Sequence, residues 1–572
     1  MHKIKWNFKS AALSPAEINE FSQNNSISYV MSAVLLNRGI KTREQIIEYI
    51  GKSLEGIHNP MLLPDIEKAC KRIIYAIENK EKIVIYGDYD VDGVTSTALL
   101  YSFLKEYGAD VKYFIPDRIR DGYGLNIKAI NKISKLGTRL LITVDCGITS
   151  VGEVELAKAQ RMEVIITDHH TCKERIPDAV AVVNPKREDS EYPFKALAGV
   201  GVAFKLILGI TKLMGKSTKE CFDKYCDLVS IGTIADVVDL QGENRLIVDR
   251  GLKKLANTDN IGIKALTGLC GMKDKGINST SVAFGISPRI NAAGRMAQAS
   301  MAVDLLLSRT NDEAYELSLK LDELNRERQR IEREIFEEAL SIIEQNPSFR
   351  DKKIIVLAKE GWHHGVIGIV ASRITEQFYK PCILIAVEEN GKGKGSGRSV
   401  EGINLFDALT ACEEYLTQFG GHSLAAGLSL EMKNFDAFYD CINKYISQNI
   451  KEEPQKQLDI DCSVPPAFVS MANAKMLERL EPFGMSNEKP VFAMCGVKVV
   501  SAQTMGADDR HLRLKVEAGD RIMEAVGFSF GTFAKYLNAG RLIDIAFNLE
   551  VSTYQGNERL QLMLKDIRSC EN

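Results

Sequence analysis

The chain has 572 residues with 45% hydrophobic content, enough for about three or four domains with proper cores. A net charge of −3 and a pI near 6.3 exclude a globally basic protein that coats polyanions; an anionic polymer would need a local groove. The 12 cysteines are scattered, with Cys221 and Cys226 the one close pair, which fits buried reduced thiols better than a disulfide framework or a zinc site. Met1-His2-Lys3-Ile4-Lys5-Trp6 is no secretory leader, and no apolar run reaches about 18 residues. A cytoplasmic protein without a membrane span is expected.

Residues 1–80 read as a helical segment. Ser14-Pro15-Ala16-Glu17 supplies a cap, a first-turn proline and a capping-box glutamate, and residues 65–79 have the apolar spacing of a core-facing helix. From 81 to 265 strands alternate with helices. Strands are expected at 82–88, 111–116, 140–145, 163–168 and 179–184, with helices near 94–107, 126–136 and 150–160. That is the pattern of a doubly wound parallel sheet. No dinucleotide or phosphate-loop fingerprint is present; Gly199-Val200-Gly201 reads as close helix packing.

The chemistry sits where strands end. Lys82 to Tyr86 runs into Gly87-Asp88-Tyr89-Asp90-Val91-Asp92-Gly93. Leu140 to Val144 runs into Asp145-Cys146-Gly147, and Val164 to Thr167 into Asp168-His169-His170. A helical stretch ends in Ala235-Asp236-Val237-Val238. Open α/β sheets bind ligands outside these carboxyl ends. Any one of the sites could be a solvated acidic turn or a cap. Their recurrence on one edge points to hard divalent cations, which take oxygen ligands and offset carboxylate repulsion. Two such ions about 3.5–4 Å apart clamp the attacking and leaving oxygens of a phosphodiester. Asp88, Asp90, Asp92, Asp145, His169 and Asp236 offer the ligands, with Asp145 the expected bridge. His170 orients His169, touches the phosphate or acts as an acid.

Residues 266–345 carry Ser287-Pro288-Arg289-Ile290-Asn291-Ala292-Ala293-Gly294-Arg295. Its two guanidinium groups and one amide suit a phosphate, so Arg289, Asn291 and Arg295 are candidate catalytic residues. Asn311 to Glu344 reads as one amphipathic helix with apolar positions Leu317, Leu321, Leu324, Ile331, Ile335, Ala339 and Ile342, broken at Arg328. A connector between domains fits it better than a coiled coil. Residues 346–455 form a second α/β unit. There, 391–399 reads as a glycine-rich loop, either an anion cradle or a flexible hairpin, and Gly420-Gly421-His422-Ser423 as a second such turn. Trp362 and His363 offer a stacking surface for a base. Short alternating strands over 456–572 suggest a small antiparallel barrel, with Arg510, His511, Arg513 and Lys515 as candidate cations.

The strand-end series resembles the DHH phosphoesterase superfamily over nearly the whole chain, and most specifically its RecJ family. Ile115-Pro116-Asp117-Arg118, Asp121-Gly122-Tyr123-Gly124-Leu125, Pro288-Arg289-Ile290-Asn291, Gly361-Trp362-His363 and Gly420-Gly421-His422 are similar to RecJ motifs, in the same order. The resemblance implies an α/β protein: a doubly wound parallel-sheet DHH domain, a long connector helix, a smaller α/β DHHA1 domain and a C-terminal antiparallel OB-fold barrel. It assigns two divalent cations, Mn²⁺ or Mg²⁺, to the six ligands. It places nucleic-acid contacts at Arg118, Tyr123, Trp362, His363, Ser396, Arg398, Gly421 and His422. The implied activity is a 5′→3′ exonuclease on single-stranded DNA that releases 5′-mononucleotides in DNA repair and recombination. The implied state is a monomer, with single-stranded DNA as partner, a single-strand-binding protein or a helicase as candidate protein partners, and no membrane. Arg118, with Arg289 and the Ser396/Arg398 segment, is the expected sensor of the 5′-phosphate. Ser486 and Glu488 replace a glycine and a proline of the family, so no role is carried over for that loop. Two other readings stand beside this one: a DHH phosphodiesterase or polyphosphatase for small substrates such as short oligonucleotides or cyclic dinucleotides, and a non-catalytic replication scaffold. The barrel argues against the first and the full ligand set against the second.

Overall fold

The computed structural model describes residues 4–570 except 119–121, 123, 273–275, 347, 451–453, 507 and 555–556. The chain divides into two compact units, Ile57–Pro454 and a second built from both chain ends, Met1–Gly56 with Gln455–Asn572.

In the larger unit five parallel strands lie in the order Asp110–Phe114, Lys82–Tyr86, Leu140–Val144, Glu163–Thr167, Ala181–Val183. Leu140–Val144 is buried along its whole length, as a strand covered by helices on both faces must be. The first strand in sequence pairs with the second on one side and the third on the other. The order therefore reverses between Lys82–Tyr86 and Leu140–Val144, and such a switch point opens a crevice at the carboxyl edge. Asp88 and Asp145 follow these two strands. The next helix, Val91–Glu106, starts earlier than the apolar spacing suggests because Asp90 caps it, accepting from the Gly93 N–H at 3.0 Å. Asp92 thereby falls in the first helical turn.

The connector is a single helix, Asn311–Gln345. It packs on helices Ile261–Leu269, Ser287–Met296 and Ser300–Leu306, and on His364–Phe378 of the second α/β domain. Ile335, Ala339 and Ile343 join that domain's core around Ile355, Val366 and Leu384. The buried stripe also carries Asp322 and Asn325, polar residues that hold arginines as described below.

The second sheet runs Gln418–Gly421, Ala425–Glu431, Lys392–Arg398, Cys382–Val387, Ile355–Glu360. The segment expected to be a loop is thus a strand, Lys392–Arg398, paired on both sides. Its alternation explains why. Gly393, Gly395 and Gly397 are buried and the residues between them are not. A Cβ on Gly395 would sit 2.9 Å from Leu428 Cγ and 3.1 Å from Ile385 Cγ1. The backbone N–H groups serve the ladder and cannot cradle an anion; Ser396 and Arg398 instead reach toward Gly368 on helix His364–Phe378.

The smaller unit opens with a strand, Lys5–Phe8, where a helix was expected, pairing with Gln457–Ile460. Trp6 Nε1 donates to Asp566 at 2.7 Å, and the Arg568 guanidinium lies 4.0 Å from the indole. Strands Phe492–Met505, His511–Ala518, Arg521–Gly527, Asn557–Ser569 and Leu542–Tyr554 form a barrel closed by the first pairing with the last, an OB-fold. Asn487 accepts from Arg38 at 2.6 Å and Tyr49 at 2.5 Å, tying the N-terminal helices to the turn before the barrel. Among the described residues no helix is long and apolar enough to cross a membrane.

Candidate active site

Six of the expected donors converge. Asp88, Asp90 and Asp145 form one group and Asp92, His169 and Asp236 another, the donor atoms within each group lying within 4.8 Å of one another. His169 Nε2 is 3.2 Å from Asp145 Oδ1, 3.6 Å from Asp236 Oδ2 and 4.0 Å from Asp92 Oδ2, so Asp145 adjoins both groups. Asp236 arrives as the C-cap of helix Thr218–Ala235.

Small residues make the convergence fit. A Cβ on Gly93 would sit 2.6 Å from the Asp88 amide nitrogen, and one on Gly199 would collide with the Asp145 carboxylate. Asp145 itself has φ +59, a left-handed conformation that aspartate tolerates better than most residues. Helix Gly199–Leu213 has no side-chain cap. Its first N–H groups donate instead to the site: Gly199 to Asp92 Oδ2 at 2.6 Å and Val200 to Asp92 Oδ1 at 2.7 Å. The Gly-Val-Gly stretch therefore anchors a site carboxylate as well as packing closely. The signal in the sequence was a helix start lacking Ser, Thr, Asp or Asn, whose N–H groups needed an acceptor from elsewhere.

Asp168 has the positioning role that sequence reasoning left unassigned. Its Oδ1 accepts from the His169 N–H at 2.7 Å and the His170 N–H at 3.0 Å, and meets His170 Nδ1 at 2.7 Å; its Oδ2 accepts from the Ile148 N–H at 2.9 Å. Burial would raise the Asp168 pKa, yet these bonds to His170 hold it below the usual carboxylate range.

The remaining acids go the other way. Burial, and next the charge of Asp90, lifts Asp88 well above the ordinary range and Asp92 to about 7. Burial, then Asp92, does the same to Asp145 and takes Asp236 to about 9. Burial pushes His169 down to about 3, so its imidazole is neutral and offers a lone pair. Asp88 Oδ1, His169 Nε2 and Asp236 Oδ2 are buried with no hydrogen-bond partner. Buried oxygens and nitrogens with nothing to bind, in a set that repels itself, fit a pair of divalent cations.

A cluster of the opposite sign stands beside it. Arg295 is half-buried, and desolvation followed by the guanidinium groups of Arg118, Arg328 and Arg398 lowers its pKa to about 9. Its Nη1 donates to Gly365 O at 3.1 Å. Arg118 lies over the Tyr89 ring at 4.9 Å. Arg398 Nη1 donates to Gly397 O at 2.8 Å and to Ser396 Oγ at 3.2 Å. A Cβ on Gly294 would sit 2.5 Å from Tyr89 O, so helix Ser287–Met296 backs directly onto the acidic turn. Arg328 is held by Glu332 and Asn325, at 2.6 and 2.8 Å; the half-buried guanidinium groups of Arg118, Arg295 and Arg398 suit an anion.

The other expected residues fall as follows. Arg289 is not in this cluster: its Nε and Nη2 meet Asp322 Oδ1 at 2.8 and 2.7 Å and its Nη1 donates to Gly285 O at 2.7 Å, so the guanidinium ties its helix to the connector. Asn291 and Arg295 line a cavity of about 280 Å³. Trp362 is no stacking surface; it is 6% exposed in the apolar core and its Nε1 donates to Glu338 Oε2 at 2.8 Å. His363 caps helix His364–Phe378, its Nδ1 accepting from the Gly365 N–H at 3.1 Å. His364, whose place the sequence did not explain, lies near Lys394 and Arg118; burial, then Lys394, lowers its pKa to about 4. Gly421 ends an edge strand and His422 is on the exposed hairpin turn that follows. Tyr123 lies outside the described residues.

Residues 82–233 match the DHH family, N-terminal domain, 351–448 the DHHA1 domain and 460–566 the RecJ OB domain. The chain is 38% identical to the single-stranded-DNA-specific exonuclease RecJ of Bacillus subtilis, over 100% of this chain and 71% of that one. It is 34% identical to the protein of the same name from Haemophilus influenzae, over 96% and 98%. The crystal structure of RecJ in complex with Mn²⁺ from Thermus thermophilus superposes with a TM-score of 0.83 at 29% identity, covering 100% of this chain and 80% of that one. With three domains matched in order and end-to-end likeness to these proteins, the chain belongs to the RecJ family of the DHH/DHHA1 superfamily.

Proposed function

We propose that this chain degrades single-stranded DNA from the 5′ end, releasing 5′-mononucleotides by phosphodiester hydrolysis with two divalent cations, Mn²⁺ or Mg²⁺. The observation that carries the reading is the meeting of six metal-type donors with the half-buried arginines Arg118, Arg295 and Arg398 across one turn, Asp88 to Asp92. A phosphodiester there is neutralised from both sides. The relatives named as single-stranded-DNA-specific exonucleases, and the solved RecJ structures in complex with Mn²⁺ and Mg²⁺, support it.

Asp88, Asp90 and Asp145 would hold one cation and Asp92, His169 and Asp236 the other, with Asp145 shared. Bound there, the pair offsets phosphate charge and makes water nucleophilic near neutral pH. The chain's own groups do the rest. Gly199 and Val200 steady Asp92, and Asp168 fixes both histidines so that His170 can pass a proton to the leaving oxygen. Arg295, Arg118, Ser396 and Arg398 grip the terminal 5′-phosphate and set the direction of travel. On the barrel, Phe528 is exposed beside His511, ring centroids 5.1 Å apart, and offers a stacking surface for the strand. The enzyme would act as a cytoplasmic monomer in DNA repair and recombination, with a single-strand-binding protein or a helicase as partner.

The test is product analysis on strands labelled at either end, with Mn²⁺ or Mg²⁺. Early release of the 5′ label as a mononucleotide, lost in Asp145→Asn, is expected. Early release of the 3′ label, or activity that survives Asp145→Asn, would overturn the reading.

A further inference from the structure

The cavity of about 280 Å³ beside Asp236 shares Arg295 and Arg328 with the basic cluster, but Phe284, Val237 and Asn291 on its lining belong to neither the metal nor the phosphate group. Two features on its wall carry a cost with no packing return. Helix Ser287–Met296 is preceded by a π turn, Val282–Ile286, in which Ser287 N–H donates to Val282 O. Within that turn Val282 and Ile286 are buried, while Phe284 is 80% exposed. π turns inside helices recur at functional sites. Also on the lining, Val237 is 60% exposed and has φ +58, a left-handed conformation that β-branched residues avoid. The polar lining is Asn291, Arg295 and Arg328, the last held by Glu332 at 2.6 Å and Asn325 at 2.8 Å. The lining thus combines an aromatic ring and aliphatic side chains with an amide and guanidinium groups. A nucleotide has this same division: a stacking face, polar base edges and an anion.

We infer that this cavity is a nucleobase pocket, taking the base of a nucleotide that flanks the bond to be cut and stacking it on Phe284 against Val237. The inference rests on the single-strand reading above and deepens it. A base seated here must leave its stack and its pair, so the pocket itself would select against duplex.

The experiment uses a 5′-phosphorylated strand carrying 2-aminopurine at its first or its second position. Without divalent cations, binding to the wild-type chain should quench the probe at one of these positions. Phe284→Ala should abolish the quench and Phe284→Trp should keep it. With Mn²⁺, Phe284→Ala should raise KM about tenfold and change kcat less. An abasic site at the quenched position should raise the wild-type KM by a similar factor and add nothing to Phe284→Ala. A quench that persists in Phe284→Ala, or variant and abasic effects that multiply, overturns the pocket. A wild-type chain that cleaves no strand at all defeats the exonuclease reading instead; cleavage with an unquenched probe defeats the pocket alone.

Discussion

Asp145, buried, and Arg295, half-buried, each stand among groups of their own sign, and they reached that position by different routes. Asp88 and Asp145 leave neighbouring strands of one sheet edge, about 4.8 Å apart, Asp92 follows in the first turn of the next helix, and Asp236 comes from the C-cap of helix Thr218–Ala235. The arginines come from four segments remote in sequence: a loop after a DHH strand, helix Ser287–Met296, the connector helix, and a strand of the second domain. The acidic group is therefore a product of local topology, and the basic group a product of how two domains pack. Each calls for a ligand of opposite charge, a cation for one and a phosphate for the other.

The sharpest way to break this pairing is at its acidic side. Asp145→Asn should cost more than about 100-fold in hydrolysis rate, while the metal-free melting temperature stays equal or rises because a repelled buried charge is gone. A variant that keeps its rate would detach the acids from the reaction. Asp168→Asn should cost about 10–100-fold, since it loosens His169 and His170 without removing a donor; kinetics at saturating Mn²⁺ check this. On the basic side, Arg398→Ala should slow digestion of 5′-phosphorylated strands about tenfold, the worth of one charge-assisted hydrogen bond, and leave 5′-hydroxyl strands unchanged. Equal slowing of both would show that the arginines are not an end sensor.

A pH series sharpens the same contrast. Burial, with Asp90 and Asp92 adding repulsion, raises Asp92 to about 7 and Asp236 to about 9 in the folded chain, against about 3.9 for aspartate unfolded. The folded state binds the extra protons. Metal-free stability from these groups is therefore full below about pH 4 and is lost as pH climbs through 7 and 9. Saturating Mn²⁺ should remove that loss; denaturant midpoints at several pH values with and without metal would show it. The smallest effect belongs to the strand beneath the basic cluster. Gly395→Ala should destabilise the fold by about 1–3 kcal/mol through contact with Leu428 and Ile385, whereas a free loop would tolerate it.

The same difference in route decides what could be read from the sequence. Asp88, Asp145, His169 and Asp236 follow apolar runs whose period and length already place them at element ends, so the site was visible before any tertiary contact was known. Arg289 and Arg295 sit six residues apart in one motif, and nothing local tells which of them turns to Asp322 and which joins Arg118 and Arg398. Trp362 follows a glycine turn that suits a surface aromatic equally well; the core of the second domain decides otherwise. Gly-Lys-Gly-Ser-Gly-Arg reads as a loop because glycines weaken strands, although its alternation has the period of two of a strand. Lys5–Phe8 could not be recognised as a strand because its partner, Gln457–Ile460, lies at the far end of the chain.

Anomalous scattering from crystals soaked in Mn²⁺ tests the account most directly. Two peaks about 3.5–4 Å apart, one beside Asp88 and Asp90, one beside Asp92, His169 and Asp236, and both touching Asp145, are predicted. No peak within coordination distance of Asp145, or a pattern unchanged in Asp145→Asn, would contradict it.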